Sequence, residues 1–277
     1  KREARSEKRE ARSEKREARS GERRRVGDGR RAGGGMEDFM GERVALKKLG
    51  IIGGLGPAAT ASLFTRIIEH TDAATDQDHI DITILNRPQI PDRTAYILGK
   101  SDESYVPAVR EAALQLEAMG CDVLCMPCVT GHYKSDETFG CLTRARVLHM
   151  PLEAARYLSD QGKRVVGVMA TDGTGRAGVL QQALESEGLA AVFPDAEHQA
   201  EVMGIIYDDV KAGRPADMRA FDDVCAHLRD RGCDSVLLGC TELSVIDAPA
   251  TAHGMLVVDA LEVLAVRAVE ACGARVK

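Results

Sequence analysis

Apolar positions along this chain recur in blocks from residue 46 onward, and the blocks alternate between the strand period and the helix period. Short continuous apolar runs predict buried strands, whereas apolar residues spaced three and four apart predict amphipathic helices. The predicted strands cover residues 46–53, 80–86, 164–170, 191–193 and 255–258. The predicted helices cover residues 57–70, 105–119, 178–187, 199–211, 218–231 and 260–272.

One short phrase occurs twice, 112 positions apart, at residues 120–128 and 232–240. Both copies carry Gly, Cys and Asp in order, followed by an apolar run of strand length that reaches a final cysteine, Cys128 or Cys240. Residues 48–52 and 166–169 resemble each other as the first strands of two series. The repetition therefore predicts two α/β halves of nearly equal length, each a parallel sheet covered by helices.

The predicted fold class is α/β, with two similar parallel-sheet domains related by a pseudo-two-fold axis. We expect a first domain of residues 46–149 plus 257–277 and a second domain of residues 150–256. Ligands of such sheets bind beyond the carboxyl ends of the strands, where Cys128 and Cys240 fall. The active site is therefore expected in the cleft between the domains.

The first 45 residues differ in composition from the rest and are predicted to be a disordered, basic, low-complexity tail. KREARSE occurs twice and KREARS once, and only alanine could fill the core of a seven-residue repeat. We interpret this segment as an extension outside the functional unit; a basic tail that contacts nucleic acid or a surface is the alternative. Beyond residue 35 the chain has 23 basic and 36 acidic residues, so an anionic substrate needs local cations.

The composition also predicts where the protein acts. No apolar run approaches the roughly 18 residues of a membrane span. Several of the eight cysteines lie inside apolar runs, which favours a reducing compartment over a disulfide framework. We therefore expect a cytoplasmic protein without a membrane or nucleic-acid partner.

A glycine-rich turn follows the first predicted strand. Residues 54–59 satisfy the dinucleotide pattern G-x-G-x-x-A, but Pro57 lacks the N–H that would hold a pyrophosphate, and the second strand ends at Asn86 instead of an acidic residue. A tight turn that presents its backbone to a small ligand is favoured, with Gly54 and Leu55 as candidate contacts.

The cysteines divide into two groups. Cys121, Cys125 and Cys128 are clustered, but no second C-x-x-C completes a zinc site, so no metal is expected. Cys121 and Cys233 are interpreted as core residues. Cys128 and Cys240 stand at strand ends beside helix starts, where backbone N–H groups lower a thiol's pKa. They are either a catalytic pair or buried spectators.

Charged residues near these thiols are further candidates. His132 and Glu242 follow Cys128 and Cys240 closely and could tune the thiols or cap local turns. Arg93, in a proline-rich loop, and Lys211, near a helix end, could grip carboxylates, although each could also be a solvated surface charge.

Five ordered phrases resemble the aspartate/glutamate racemase superfamily, most closely the cofactor-independent aspartate racemases, from about Lys48 to the C-terminus. The phrases are GIIGGLGPAAT, RPQIPDRTAYILGK, MPCVTGH, YDDVKAG and LGCTELSVI. The resemblance implies racemisation without a cofactor, Cys128 and Cys240 as the two proton carriers, and a homodimer. It also implies that a small acidic amino acid is bound by Arg93, Lys211 and neighbours. The remaining candidate contacts are Gly54, Leu55, Val129, Thr130, Gly131, Thr241 and Glu242.

Two departures from the family pattern keep alternatives open. Val129 replaces the usual Asn, whose amide can hold substrate, and residues 175–178 replace a more apolar stretch. The leading hypothesis is a racemase of aspartate or a related acidic amino acid. A single-thiol isomerase or decarboxylase of the same superfamily, and a relative that binds a dicarboxylate without turnover, are the alternatives.

Overall fold

The first of two sheets consists of four short parallel strands, and the computed structural model describes residues 45–277 of the chain. The strands are β1 (Leu49–Gly53), β2 (Ile82–Asn86), β3 (Val123–Cys125) and β4 (Arg146–Leu148), in the order β2-β1-β3-β4. Every residue of the central strand β1 is buried, as expected for a parallel strand covered on both faces. Except for its last residue, the predicted tail lies outside the described residues.

The second sheet repeats this topology. Its strands are β5 (Val165–Met169), β6 (Ala190–Val192), β7 (Ser235–Leu238), β8 (Thr251–Ala252) and β9 (Met255–Asp259), in the order β6-β5-β7-β9-β8. The two-residue strand β8 is antiparallel to β9, and all other pairs are parallel. In each sheet the first strand lies between the second and the third. The predicted α/β class with two similar parallel sheets is therefore confirmed.

Helices connect the strands. They are α1 (Pro57–His70), α2 (Arg93–Ile97), α3 (Val106–Ala118), α4 (Ser135–Phe139), α5 (Met150–Asp160), α6 (Asp172–Ala177), α7 (Val179–Ser186), α8 (Ala196–Met203), α9 (Met218–Asp230) and α10 (Ala260–Ala271). Short 3₁₀ turns cover Thr130–Lys134 and Leu243–Val245, directly after Cys128 and Cys240. Residues 45–277 contain no helix with the combined length and apolar character that crossing a bilayer requires.

The predicted strands and helices are all present, with boundaries shifted by a few residues. One predicted helix, residues 199–211, was wrong in form: α8 ends at Met203 and the chain continues as a π-helical turn, Gly204–Val210. Helix α5 and several short elements were missed: β4, β8, α2, α4 and α6. Because β4 has three residues, one of them exposed, it leaves no periodic signal.

The apolar core extends across both sheets. Leu49 and Ile51 of the first sheet belong to the same buried cluster as Val166 and Val168 of the second, with residues of α5, α7 and α10 between them. The division into two domains remains a prediction. Since β9 pairs with β7 along its whole length, we propose placing the second boundary after Asp259 rather than at residue 256.

Candidate active site

A cavity of about 50 Å³ lies at the carboxyl ends of the central strands and is lined from both halves of the molecule. Cys128 follows β3, and Cys240 follows β7. The strands end three and two residues before these thiols, so the predicted strands were slightly too long. The lining residues are Leu55, Asp92, Arg93, Thr94, Cys128, Val129, Thr130, Thr171, Thr174, Tyr207, Lys211, Gly239, Cys240, Thr241 and Glu242.

Nine of the eleven predicted site residues line this cavity, and two do not: Gly54 and Gly131. Gly54 has φ +95°, and a Cβ there would lie 2.4 Å from the backbone carbon of Arg87. A Cβ on Gly131 would lie 2.6 Å from Cε of Met126. Gly54 is therefore required by its backbone conformation and by the adjacent backbone, whereas a Cβ at Gly131 would displace only the end of the Met126 side chain.

Cys128 is buried, and its Sγ lies 3.4 Å from Oγ1 of Thr130. The thiol shares an apolar cluster with Tyr105 and Met126. It is therefore screened from solvent on one side and open to the cavity on the other.

Cys240 donates a hydrogen bond from Sγ to Oε2 of Glu242, at 2.9 Å. Burial, and then the negative charge of Glu242, raise the pKa of this thiol well above its usual value. The expectation that a helix start would lower the pKa of Cys240 was therefore wrong. The reason is structural: a short 3₁₀ turn follows Cys240 instead of an α-helix with a full N-terminal dipole, and a carboxylate is the nearest charge.

Lys211 approaches the same carboxylate from the other side. Its Nζ lies 3.7 Å from Oε1 of Glu242 and 4.0 Å from the ring centroid of Tyr207. Burial opposes the charge of Lys211, but Glu242 and Tyr207 outweigh burial and raise its pKa. The two residues are four positions apart, a spacing that brings side chains to the same face of a helical segment.

Arg93 is the first residue of α2, and its side chain forms hydrogen bonds with two loops of the first half. Its Nη2 donates to the carbonyl of Leu55 at 3.0 Å, and its Nη1 donates to the carbonyl of Pro91 at 3.2 Å. Its Nε is buried and has no hydrogen-bond partner. An unpaired buried donor is costly, so this nitrogen retains the capacity to bind an acceptor.

Six lining residues were not predicted: Asp92, Thr94, Thr171, Thr174, Tyr207 and Gly239. Thr171 could have been found, because it follows β5 at the carboxyl end of a central strand. Its Oγ1 accepts a hydrogen bond from the backbone N of Thr174 and so caps α6. Tyr207 could also have been found, because it precedes Lys211 by four positions, the spacing of neighbours on one helix face.

One of the two expectations for His132 was that it tunes the Cys128 thiol. The contacts of its ring are with other groups. Its Nε2 lies 3.4 Å from the carbonyl oxygen of Met126, and its ring lies 4.5 Å from that of His149. Burial, and then His149, lower the pKa of His132 well below its usual value. It is a neutral, buried histidine behind the cavity.

Within residues 45–277, one group of side chains has the composition of a metal site: Asp195, His198 and His227. The two imidazole rings are stacked 3.9 Å apart at an angle of 19°. Asp195 already engages both rings, at 2.7 Å for Nδ1 of His198 and 3.7 Å for Nδ1 of His227. The lone pairs of nearly parallel imidazole rings do not converge on a common point, as metal binding requires. In this arrangement the Asp195 side chain instead caps the start of α8.

Comparison with known proteins shows the family to which the chain belongs. The family model described as Asp/Glu/Hydantoin racemase matches residues 52–268, which is most of the chain. The chain belongs to the Asp/Glu/hydantoin racemase family. The matched range includes both thiols of the cavity together with Arg93 and Lys211. The family named on the sequence motifs is therefore confirmed.

Solved structures of this racemase family share its architecture. An aspartate racemase of Picrophilus torridus is 31% identical, with a TM-score of 0.70 over 83% of this chain and 96% of that one. An aspartate racemase homologue of Pyrococcus horikoshii OT3 is 22% identical and shows the shared fold, with a TM-score of 0.70 over 82% of this chain and all of that one.

A curated racemase is also similar. A broad-specificity amino-acid racemase of Bacillus subtilis (strain 168) is 25% identical over 158 residues, which are 55% of this chain. The match spans 66% of that relative, slightly less than two thirds of its length.

Proposed function

We propose that this racemase-family protein interconverts the enantiomers of aspartate or a related acidic amino acid, using Cys128 and Cys240 as proton carriers and no cofactor. The observation that carries the proposal is that one cavity is lined by both thiols, one from each half, and by two cations. The arrangement suits a reaction in which a proton leaves one face of a carbon and another arrives on the opposite face.

The proposed reaction begins with Cys240 as the proton donor. Cys240 is protonated, because its pKa is raised and Glu242 accepts its hydrogen bond. With Cys128 as thiolate, Cys128 removes the α-proton and becomes a thiol, and Cys240 donates its proton to the opposite face and becomes a thiolate. The centre is inverted, no electrons are lost, and the reverse reaction exchanges the two roles.

Abstraction of an α-proton beside a carboxylate requires stabilisation of the negative charge that develops. Arg93 offers its unpaired Nε, and Lys211 offers an ammonium group whose charge is favoured by its raised pKa. Preorganised cations of this kind stabilise a transition state better than water does. Glu242, Thr130 and Thr241 lie beside the thiols and are the proposed polar contacts of the substrate.

An ion pair occupies the cavity where a substrate carboxylate is proposed to bind. Lys211 and Glu242, which form it, both line the cavity. Glu242 holds both Cys240 and Lys211 and so narrows the cavity from within. We therefore expect the Lys211–Glu242 contact to open when the substrate carboxylate binds Lys211.

Incubation of L-aspartate with the protein in D₂O, without added cofactor, tests the proposal. We expect D-aspartate to form with deuterium at Cα, because the donated proton comes from a thiol that exchanges with solvent. Cys128→Ala and Cys240→Ala should each lower racemisation by about a hundred- to ten-thousandfold. Cys141→Ala, a change at an exposed cysteine away from the cavity, is the control and should retain full activity.

The same experiment separates the alternatives. Normal racemisation in either active-site variant contradicts the two-thiol mechanism. Loss of activity in only one of them supports a single-thiol isomerase or decarboxylase. Tight binding of aspartate without deuterium incorporation supports a binder without turnover, for which Val129 in the cavity wall is the motivating residue. Val129→Asn then tests whether the missing amide restores exchange.

A further inference from the structure

Arg66 links the first half of the molecule to the segment that carries Cys240. It lies on α1, and about a fifth of its side chain is exposed. Its Nη2 donates to the carbonyl oxygen of Ser244 at 2.5 Å. Ser244 stands four residues after Cys240, in the 3₁₀ turn that follows it. An arginine of the first half therefore holds the backbone beside a thiol of the second half.

A second nitrogen of the guanidinium group, Nη1, binds two carboxylates. Nη1 of Arg66 donates to Oδ2 of Asp259 at 2.6 Å and to Oε2 of Glu262 at 2.7 Å. These residues stand at the end of β9 and in the first turn of α10. The planar guanidinium group can make all three contacts at once, which a single ammonium group cannot do with the same geometry.

Asp259 completes the fixation of the loop. Its Oδ1 accepts a hydrogen bond from Oγ of Ser244 at 2.6 Å and another from the backbone N of Leu261 at 2.8 Å, which caps α10. Ser244 is thus held by its carbonyl and by its hydroxyl. At the other end of the loop, the N–H of Gly239 donates to the carbonyl of Met169 in β5. The four residues between these anchors include both Cys240 and Glu242.

Arg66 and Asp259 are mostly buried, whereas 41% of the Glu262 side chain is exposed. The exposed fraction of the side chain is 16% for Asp259 and 19% for Arg66. Removing the arginine from such a pair leaves a half-buried carboxylate without its partner, and this is costly. The expected response is displacement of Ser244 and of the loop, since the loop is the part that faces the cavity.

We infer that Arg66 is a positioning residue that holds Cys240 and Glu242 at the cavity from the opposite half of the molecule. The inference rests on the proposed function for its catalytic consequence. The structural part of the inference does not rest on that function. The position of Cys240 can be measured by the reactivity of its thiol, whether or not the protein racemises aspartate.

The test compares Arg66→Leu with Arg275→Leu. Arg275 also pairs with one carboxylate, that of Asp72, but most of its side chain is exposed. The alkylation rate of each cysteine by iodoacetamide is followed by peptide mass spectrometry. In Arg66→Leu we expect the rate at Cys240 to rise roughly fivefold, while the rate at Cys128 stays within about twofold. In Arg275→Leu neither rate should change.

Racemase kinetics provide the second measurement. A displaced Cys240 should lower kcat by roughly ten- to a hundredfold in Arg66→Leu, with KM changed much less. Arg66→Lys retains the charge and should recover part of both effects. If Arg66→Leu does not fold, Arg66→Lys alone is compared with the control and should show the same Cys240-selective change in smaller measure.

Distinct outcomes overturn each part. Equal changes at both cysteines, or no change at Cys240 in a folded Arg66 variant, contradict the positioning role. The wild-type protein could show no racemisation while Arg66→Leu still changes the alkylation rate of Cys240 selectively. That result would contradict the proposed function and support the positioning role.

Discussion

At the scale of single residues, Glu242 connects the two groups that the proposed reaction needs. Its two carboxylate oxygens contact Cys240 and Lys211, at 2.9 Å and 3.7 Å. The same carboxylate raises the pKa of the thiol and the pKa of the ammonium group, because a negative charge favours the protonated form of both. One side chain thus keeps one proton carrier and one cation in their protonated states.

Replacing Glu242 with Gln should therefore make Cys240 more acidic. Burial remains, but the negative charge that adds to its effect is removed, so the pKa of Cys240 should fall. We expect the pH profile of Cys240 alkylation to move to lower pH. Cys128 in the same variant is the internal control. An unchanged Cys240 profile, or a shift to higher pH, would show that Glu242 does not set the protonation of this thiol.

At the scale of secondary-structure elements, α2 and α6 bring the two halves together over the cavity. Gly173 lies in α6, and a Cβ at this position would be 2.6 Å from Cγ2 of Thr94 in α2. Thr94 and Thr174 both line the cavity. Close approach of these two short helices therefore requires a glycine where they cross.

Gly173→Ala and Gly175→Ala test this with one matched pair in the same helix. The Cβ of Gly173→Ala would push Thr94 away, and we expect kcat/KM to fall by roughly tenfold. At Gly175 the closest atom to a new Cβ is 3.8 Å away. Gly175→Ala should thus leave activity unchanged and increase stability by up to about 1 kcal/mol, through helix propensity. Equal activities of the two variants would refute the crossing constraint.

The start of α8 gives a prediction about pH. Hydrogen bonding to Asp195 raises the pKa of His198, so the folded state holds this proton more tightly than the unfolded state. The resulting stabilisation is complete below the unfolded pKa of about 6.5 and disappears as the pH rises through the folded pKa. His198→Ala should therefore lower the free energy of unfolding more at about pH 5.5 than at about pH 8.5.

Urea unfolding of both proteins at the two pH values measures this difference. The loss of stacking on His227 contributes at both values and cancels in the comparison. An equal or larger effect of the substitution at the higher pH would contradict the sign of the linkage.

At the scale of the whole molecule, the racemase-family match leaves the assembly as a prediction. The resemblance implies a homodimer, and two-fold dimers are the commonest soluble oligomers. Light scattering should therefore give twice the chain mass of 29.8 kDa across a range of concentrations. The mass of a single chain at every concentration would rule the dimer out.

Much of the architecture was readable from local patterns. The repeated phrase predicted two similar parallel sheets, and β1, α1, β5 and α9 are present close to their predicted positions. Strand β4 and the π-helical turn were not predictable, because a three-residue strand and an irregular turn depend on the packing around them. Leu55 and Thr241 could be named from strand-end and motif positions.

By itself, the sequence determined the duplication, the parallel sheets and the placement of Cys128 and Cys240 after equivalent strands. These features depend on periodicity and on repeated motifs, which are properties of neighbouring residues. Only the tertiary structure decided that Glu242 holds Cys240 and Lys211 together, which reversed the expected pKa shift of this thiol. It also decided that Arg66 reaches Ser244, 178 residues further along the chain. Such contacts depend on how the two halves pack, because charge and burial at a site are set by residues that are distant in sequence.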